Sequence, residues 1–336
     1  MKLFNRLILT ICLLSAAMFQ LDAQKHELKF NKDGKFKIVQ FTDTHVIYGD
    51  KRSDVTMERM NEVLDAEKPD LVIYTGDLIF GRPAKESLMQ ALEPVVTRGI
   101  PFCVTWGNHD DEQGLSRKEL FDLIKDIPNN YTGTVDGITG VTNYILTLKS
   151  AKDGKDACAL YVFDSNAYST VEGLKGYGWV AHDQIGWYKE QSRKLTEANG
   201  GTPLPSMSFF HIPFPEFAEA VTADGVFMMG SRKEKVASPK VNSGLAVAML
   251  EAKDMMAVSV GHDHVNDYLV EWNGIMLCYG RYTGGATVYH DIHGGNGARV
   301  FELTDGEREF KTWVRIKDGQ ILYPFNWPAD LLREKK

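Results

Sequence analysis

Short apolar runs alternate with amphipathic ones through the first two thirds of the chain. Phe36 to Phe41 predicts a strand. Asp54 to Glu67 carries Val55, Met60, Val63 and Leu64 near helical spacing, with Asp54 as candidate cap. Leu71 to Tyr74 predicts a buried strand, Lys85 to Arg98 a helix despite Pro94, and Phe102 to Thr105 a strand. The pattern continues with a helix over Ser116 to Asp126 and strands over Tyr144 to Leu148 and Leu160 to Phe163. A helix over Asp183 to Ala198 and strands over Ser206 to Phe210 and Met255 to Val260 follow. The remainder, to about residue 325, reads mostly as strands and turns. The order is βαβαβα and then a β-rich half, and short continuous apolar strands belong to sheets covered on both faces.

The first 24 residues stand outside this pattern. Lys2 and Arg6 precede an almost unbroken apolar run, Leu7 to Phe19, and Ala23 offers a small residue for cleavage before Gln24 and Lys25. That is the layout of a secretory signal peptide. The run is about 13 residues long, short of the ~20 that span a bilayer. The expectation is an exported chain, secreted or periplasmic, with no stable membrane insertion after cleavage and a single domain over residues 25–336. Cys12 follows Ile11 where a lipidation signal wants a small residue. The three remaining cysteines, Cys103, Cys158 and Cys278, cannot all pair and lie in apolar stretches, so they read as buried thiols.

Hydrophobic residues make up 43% and charged residues 25% of the 336 positions, an ordinary globular balance. The net charge of −7 argues against a nucleic-acid polymer as partner. It leaves nucleotides open as substrates, because metals could supply the positive charge locally.

Ligand sites in open α/β sheets lie at the carboxyl ends of the strands. Here five such ends supply Asp43 and His45, Asp77, Asn108 and His109, His211, and His262 and His264. Taken singly, an Asp there is a turn former and a His a satisfied surface or core residue. Together they hold five of the nine histidines, a concentration that turn chemistry does not require. Mixed carboxylate, imidazole and amide donors suit Mn, Fe or Zn rather than Ca or Mg. The absence of cysteine from the set argues against a closed structural zinc site. Asp77 is the natural carboxylate bridge between two ions.

These blocks, Asp43-Thr44-His45, Gly76-Asp77, Gly107-Asn108-His109-Asp110, His211 and Gly261-His262-Asp263-His264, resemble the calcineurin-like metallophosphoesterases and stand in that family's order. The resemblance spans roughly residues 36–304. Its wording is closest to a subgroup labelled with the purple acid phosphatases. It implies an α/β fold, a two-sheet β-sandwich flanked by helices, with the metal site at the strand ends. It also implies two divalent or mixed-valence ions, Mn, Fe or Zn. Asp43, His45 and His264 would hold one, Asn108, His211 and His262 the other, with Asp77 bridging. His109 would contact the phosphate without binding metal and protonate the leaving oxygen. A metal-bridging hydroxide would attack phosphorus in line.

Two positions depart from the pattern. Phe80 stands where purple enzymes carry a tyrosine, and His45 where they carry glycine, which implies a site without the purple chromophore. Phe80-Gly81 also stand where many members have Asp-Arg, which leaves Arg82 and Arg281 as candidates for the phosphate-binding arginine. Asp110 and Asp111 read either as supports for the site or as a plain exposed loop. Tyr48, Tyr282 and His290 are candidate pocket residues; Tyr177, Trp179, Trp187 and Tyr188 read as core or helix packing. Hydrolysis of a phosphomonoester is the leading expectation. The alternatives are a phosphodiesterase acting on nucleotides or lipid head groups, and a metal-binding module without catalysis.

Overall fold

A computed structural model describes residues 27–334, so the expected export signal lies outside the described residues. The strands are β1 (Lys35–Phe41), β2 (Leu71–Thr75), β3 (Phe102–Thr105), β4 (Tyr144–Lys149), β5 (Asp156–Val162), β6 (Ser206–Phe209) and β7 (Met228–Met229). They continue with β8 (Met255–Val260), β9 (Leu269–Trp272), β10 (Ile275–Tyr279), β11 (Gly297–Thr304), β12 (Phe310–Ile316) and β13 (Ile321–Trp327). The helices are α1 (Asp54–Glu67), α2 (Ala84–Thr97), α3 (Arg117–Ile124), α4 (His182–Ala198), α5 (Glu216–Ala220), α6 (Leu245–Ala252) and α7 (Ala329–Glu334). One sheet has the order β13-β12-β11-β1-β2-β3, the other β4-β5-β6-β8-β10-β9-β7. The five strands that end in candidate ligands are β1, β2 and β3, parallel to one another, and β6 and β8, also parallel.

Alternation along the strands sorts side chains into layers. Phe36 and Ile38 of β1, Leu71 and Ile73 of β2, and Cys103 of β3 meet Leu160, Met207, Met256 and Cys278 of the facing sheet in one buried cluster. Val39, Phe41, Val72, Tyr74 and Val104 point the other way, onto Met60, Val63 and Leu64 of α1, Leu88 and Leu92 of α2 and Leu120 of α3. Tyr161, Val258 and Leu277 face Tyr188 of α4, Phe217 of α5 and Leu245 of α6. The result is a two-sheet sandwich with helices on both outer faces. The inter-sheet cluster holds Cys103, Cys158 and Cys278 as free buried thiols, acting as small hydrophobes.

Two local readings change. A 3₁₀ turn over Lys51–Ser53 precedes α1, and its cap is Asp50, whose side chain accepts from the Arg52 amide. Asp54 is therefore the first residue of α1 rather than its cap. Residues 245–252 form a helix that hydrophobic periodicity does not announce. Its sequence, LAVAMLEA, is apolar on nearly every side, so no stripe marks the buried face.

Candidate metal centre

The ends of β1 and β2 stay paired beyond the sheet. The amides of Asp43, His45 and Val46 donate to the carbonyls of Gly76, Asp77 and Leu78 at 2.9–3.0 Å. To do this the backbone takes left-handed conformations at Asp43 (φ 53°), His45 (φ 45°) and Asp77 (φ 51°), and His262 does the same (φ 77°). Such conformations are unfavourable for side chains with a Cβ and cluster at functional sites. Gly107 is required beside them: a Cβ there would fall on the Asp77 carboxylate. Gly76 has φ 88°, and a Cβ would come within 2.6 Å of His211 Nδ1.

The sandwich brings the candidate ligands into two buried groups. Asp43, His45 and His264 offer donor atoms within 4.8 Å of one another, and so do Asp77, His211 and His262. The groups adjoin. Asp77 Oδ2 is 3.1 Å from His211 Nε2 and 3.9 Å from His45 Nε2. Asp43 Oδ1 is 3.5 Å from His264 Nε2 and 4.0 Å from His211 Nε2. The other oxygens of the two carboxylates are held by the protein. Asp77 Oδ1 accepts the His109 amide at 2.8 Å, and Asp43 Oδ2 accepts the Thr42 hydroxyl at 2.7 Å. Two imidazoles are held from behind. His211 Nδ1 donates to Thr75 O at 2.7 Å and His264 Nδ1 to Tyr289 O at 3.1 Å. Each of these bonds leaves Nε2 facing the carboxylates.

The electrostatics separate the four imidazoles. Burial pushes His45 and His262 down to about 3, the neutral form that binds metal. Burial opposes charge on His211 as well, but the carboxylates of Asp77 and Asp43 outweigh it and push the ring up to about 9. His264 is also raised, against its burial, by its hydrogen bond and charge interaction with Asp43. Burial works against Asp43 in turn, and His264 and His211 hold it at about 2. Without ions, a proton on His211 thus offsets carboxylate charge, and Asp43 favours the charged form of His264.

The donor set fits metal ions. Asp43, His45, Asp77, Asn108, His211, His262 and His264 are all buried. Asn108 Oδ1 is buried without a hydrogen-bond partner, a cost of about 1–3 kcal/mol that a bound ion would relieve. His45 Nε2 and His264 Nε2 lie 3.1 Å apart, and His262 Nδ1 and His211 Nε2 3.3 Å apart, as nitrogens converging on common points do.

Beneath this floor lies a carboxylate that the sequence left undecided. Asp110 is fully buried and accepts the amides of Asp77, Leu78, Ile79 and Gly107 at 2.7–3.1 Å. It ties the β2 and β3 loops together, so the exposed-loop alternative fails for it. Burial and the Asp77 charge push it up to about 7. Asp111 is partly exposed and lies 3.5 Å from Arg117, whose guanidinium also holds Gly107 O and Asp164 at 2.6 Å.

The rim differs from the sequence reading. Arg281 is buried, paired with Asp267 and bonded to the carbonyls of His293 and Gly295, so it anchors a loop and is removed as a phosphate contact. Arg82 is exposed and lies beside Gly114. Tyr282 packs on His264 with ring centroids 4.9 Å apart, and His290 stacks on Tyr282. Tyr48 lies away from these rings, in a groove with Met57 and Met89. Trp187 and Tyr188 are core, as expected. Tyr177 is not: it stands edge-on to His262 at 4.3 Å and stacks with Tyr168. Sequence reasoning missed Tyr168, Tyr289, which stacks on His264 at 4.4 Å, and Glu112, which meets His109 Nδ1 at 2.6 Å.

Comparison with known proteins agrees with this geometry. The profile described as calcineurin-like phosphoesterase matches residues 36–266. An Arabidopsis thaliana protein named probable inactive purple acid phosphatase 29 is 33% identical, over 89% of this chain and 87% of its own length. The Saccharomyces cerevisiae phosphatase DCR2 is 35% identical over 88% of this chain and 56% of its own. Among solved structures, a dimetal phosphatase from Danio rerio is similar with a TM-score of 0.60 at 11% identity, covering 87% of this chain and 98% of its own. That likeness is one of fold.

Proposed function

The chain belongs to the calcineurin-like phosphoesterase family, and from that premise we propose that it is a dinuclear-metal hydrolase of a small phosphomonoester. The observation that carries this reading is the pair of adjoining buried donor groups, with Asp77 Oδ2 facing both. Asp43, His45 and His264 would hold one ion, Asn108, His211 and His262 the other, with Asp77 between them. Bound there, two ions of the Mn, Fe or Zn kind would lower the pKa of a shared water and neutralise phosphoryl charge. The chain's residues do the rest. The buried floor excludes bulk water and fixes the ligand oxygens. His109, half-exposed above it, lies 5.8 Å from the His45 ring, where it can hand a proton to a leaving oxygen.

Three relatives are named probable inactive, which makes a non-catalytic metal-binding chain the reading to be beaten. The full donor set together with His109 supports catalysis instead. Phosphodiester hydrolysis is the second reading. It is favoured by the engagement of Arg281 with Asp267, which withdraws one candidate partner for the extra charge of a monoester. Turnover of p-nitrophenyl phosphate and bis-p-nitrophenyl phosphate, with and without chelator, tests all three. Chelator-sensitive turnover with the monoester preferred is expected. Chelator-insensitive turnover contradicts the mechanism, and stoichiometric metal without any turnover favours the non-catalytic reading. Export is part of the proposal and rests on the basic start and apolar run before Ala23. Recovery of the chain outside the cytoplasm with its first ~23 residues removed is the expected result.

A further inference from the structure

We propose that Glu112 and Tyr168 are positioning residues that set His109 and Asn108 together; the proposal rests on the hydrolase reading. The contacts form one line. Glu112 Oε2 meets His109 Nδ1 at 2.6 Å. The Tyr168 hydroxyl donates to Glu112 Oε1 at 2.9 Å. Asn108 Nδ2 donates to that same hydroxyl oxygen at 3.4 Å. One tyrosine oxygen thus joins a candidate ligand of the second ion to the carboxylate that holds the candidate proton donor.

Each contact fixes an orientation that is otherwise free. An asparagine amide can present either end, and the hydrogen-bond network decides which. With Nδ2 turned to Tyr168, Asn108 Oδ1 is the end left for an ion, and it is the buried atom without a partner. A neutral imidazole has two tautomers. A carboxylate at Nδ1 selects the Nδ1–H form and leaves Nε2 free on the opposite edge of the ring. Phe80 then fixes the ring plane, standing edge-on to both His109 at 5.1 Å and His45 at 5.2 Å.

The line is braced at both ends. Glu112 sits in a 3₁₀ turn, Asp110–Gln113, whose first residue is the buried Asp110. Tyr168 forms an isolated antiparallel bridge with Tyr177 and stacks on its ring at 5.9 Å. The base of that loop is held by Asp164, which Arg117 grips at 2.6 Å while also holding Gly107 O. His109 and Glu112 are part-exposed, 30% and 40%, so their pairing adds little stability. Its effect is on orientation.

The test uses the full chain and two readouts. The first is the ¹⁵N signal pattern of His109 in the metal-free protein, recorded with the ring neutral. The wild type is expected to show the Nδ1–H tautomer. Glu112→Gln, which offers one acceptor and one donor in place of two acceptors, is expected to lose it, and Glu112→Asp to regain part of it. An Nε2–H wild type, or a Glu112→Gln spectrum unchanged from it, overturns the proposal. This readout needs no turnover, so a chain without activity refutes the hydrolase reading and leaves this inference decided separately.

The second readout compares phenyl phosphate with p-nitrophenyl phosphate. Glu112→Gln and Tyr168→Phe are expected to lose kcat more on phenyl phosphate, whose leaving oxygen needs the proton, by about tenfold or more. Glu112→Gln is expected to cost nothing further in a His109→Ala background and to retain two ions, whereas Tyr168→Phe is expected to keep there only the part of its cost that acts through Asn108. Full additivity of Glu112→Gln with His109→Ala overturns the proposal.

Discussion

The floor of the site and its rim are built by different means. In the floor, Asp43, His45, Asp77, His211, His262 and His264 sit at strand ends and are buried, and backbone groups hold Asp43, Asp77, His211 and His264. In the rim, Glu112, Tyr168 and Tyr289 sit on turns and loops, partly or largely exposed, and are held by one another and by side chains such as Glu234. The lesson is that the chemistry of ion binding is written into the sheet topology. The handling of what approaches the ions depends on loop packing, where few covalent constraints act.

If that division is right, changes in the floor alter metal content and changes to Glu112 or Tyr289 do not. Asp77→Ala has the largest expected effect: both donor groups lose their shared oxygen, so ion content by elemental analysis falls well below two and turnover falls to background. Retention of two ions would break the comparison at its centre. Asp110→Asn comes next. It touches no ion but replaces one acceptor oxygen beneath the Asp77 loop with a donor, so metal affinity should fall by about 10–100-fold. Calorimetric titration measures this, and an unchanged affinity would confine the floor to the ligands themselves.

The proton on His211 sharpens the comparison further. His211 lies above its ordinary 6.5, up to about 9, in the metal-free chain. That contribution to stability is fully present below about 6.5 and is lost as the pH rises through about 9. Ions must displace the same proton. Thermal melts should therefore show the metal-free chain losing stability from pH 6.5 to 9 while the gain from added metal grows. A metal-induced gain that shrinks over this range would contradict the assignment. The smallest effect belongs to the rim. Tyr289→Phe removes the hydroxyl contact to Glu234 but keeps the carbonyl that holds His264. It should shift KM by about threefold with kcat and metal content unchanged.

The same division explains what could be read from the sequence. The floor was legible because each ligand follows a short apolar strand, and at Asp77, Asn108 and His262 a glycine, Gly76, Gly107 or Gly261, permits close approach. The layers were legible because β1, β2 and β3 alternate between the inter-sheet cluster and the helices. Asp110 was half legible. Its place after Asn108-His109 suggested a supporting role, but sequence alone could not show four amides converging on it. Tyr168 and Tyr177 gave no periodic signal, since a loop that bridges back on itself has none. Arg281 shows the opposite error. A basic residue in the family's span looked available for phosphate until the fold placed Asp267 against it.

The central claim, a two-ion centre that hydrolyses a phosphoester, is tested most directly by titrating Mn or Zn into chelator-stripped protein while following p-nitrophenyl phosphate turnover. Rate should rise with bound ion and reach its plateau at two ions per chain. A chain that binds two ions and turns over neither mono- nor diester, or one whose rate ignores the ions, would contradict it.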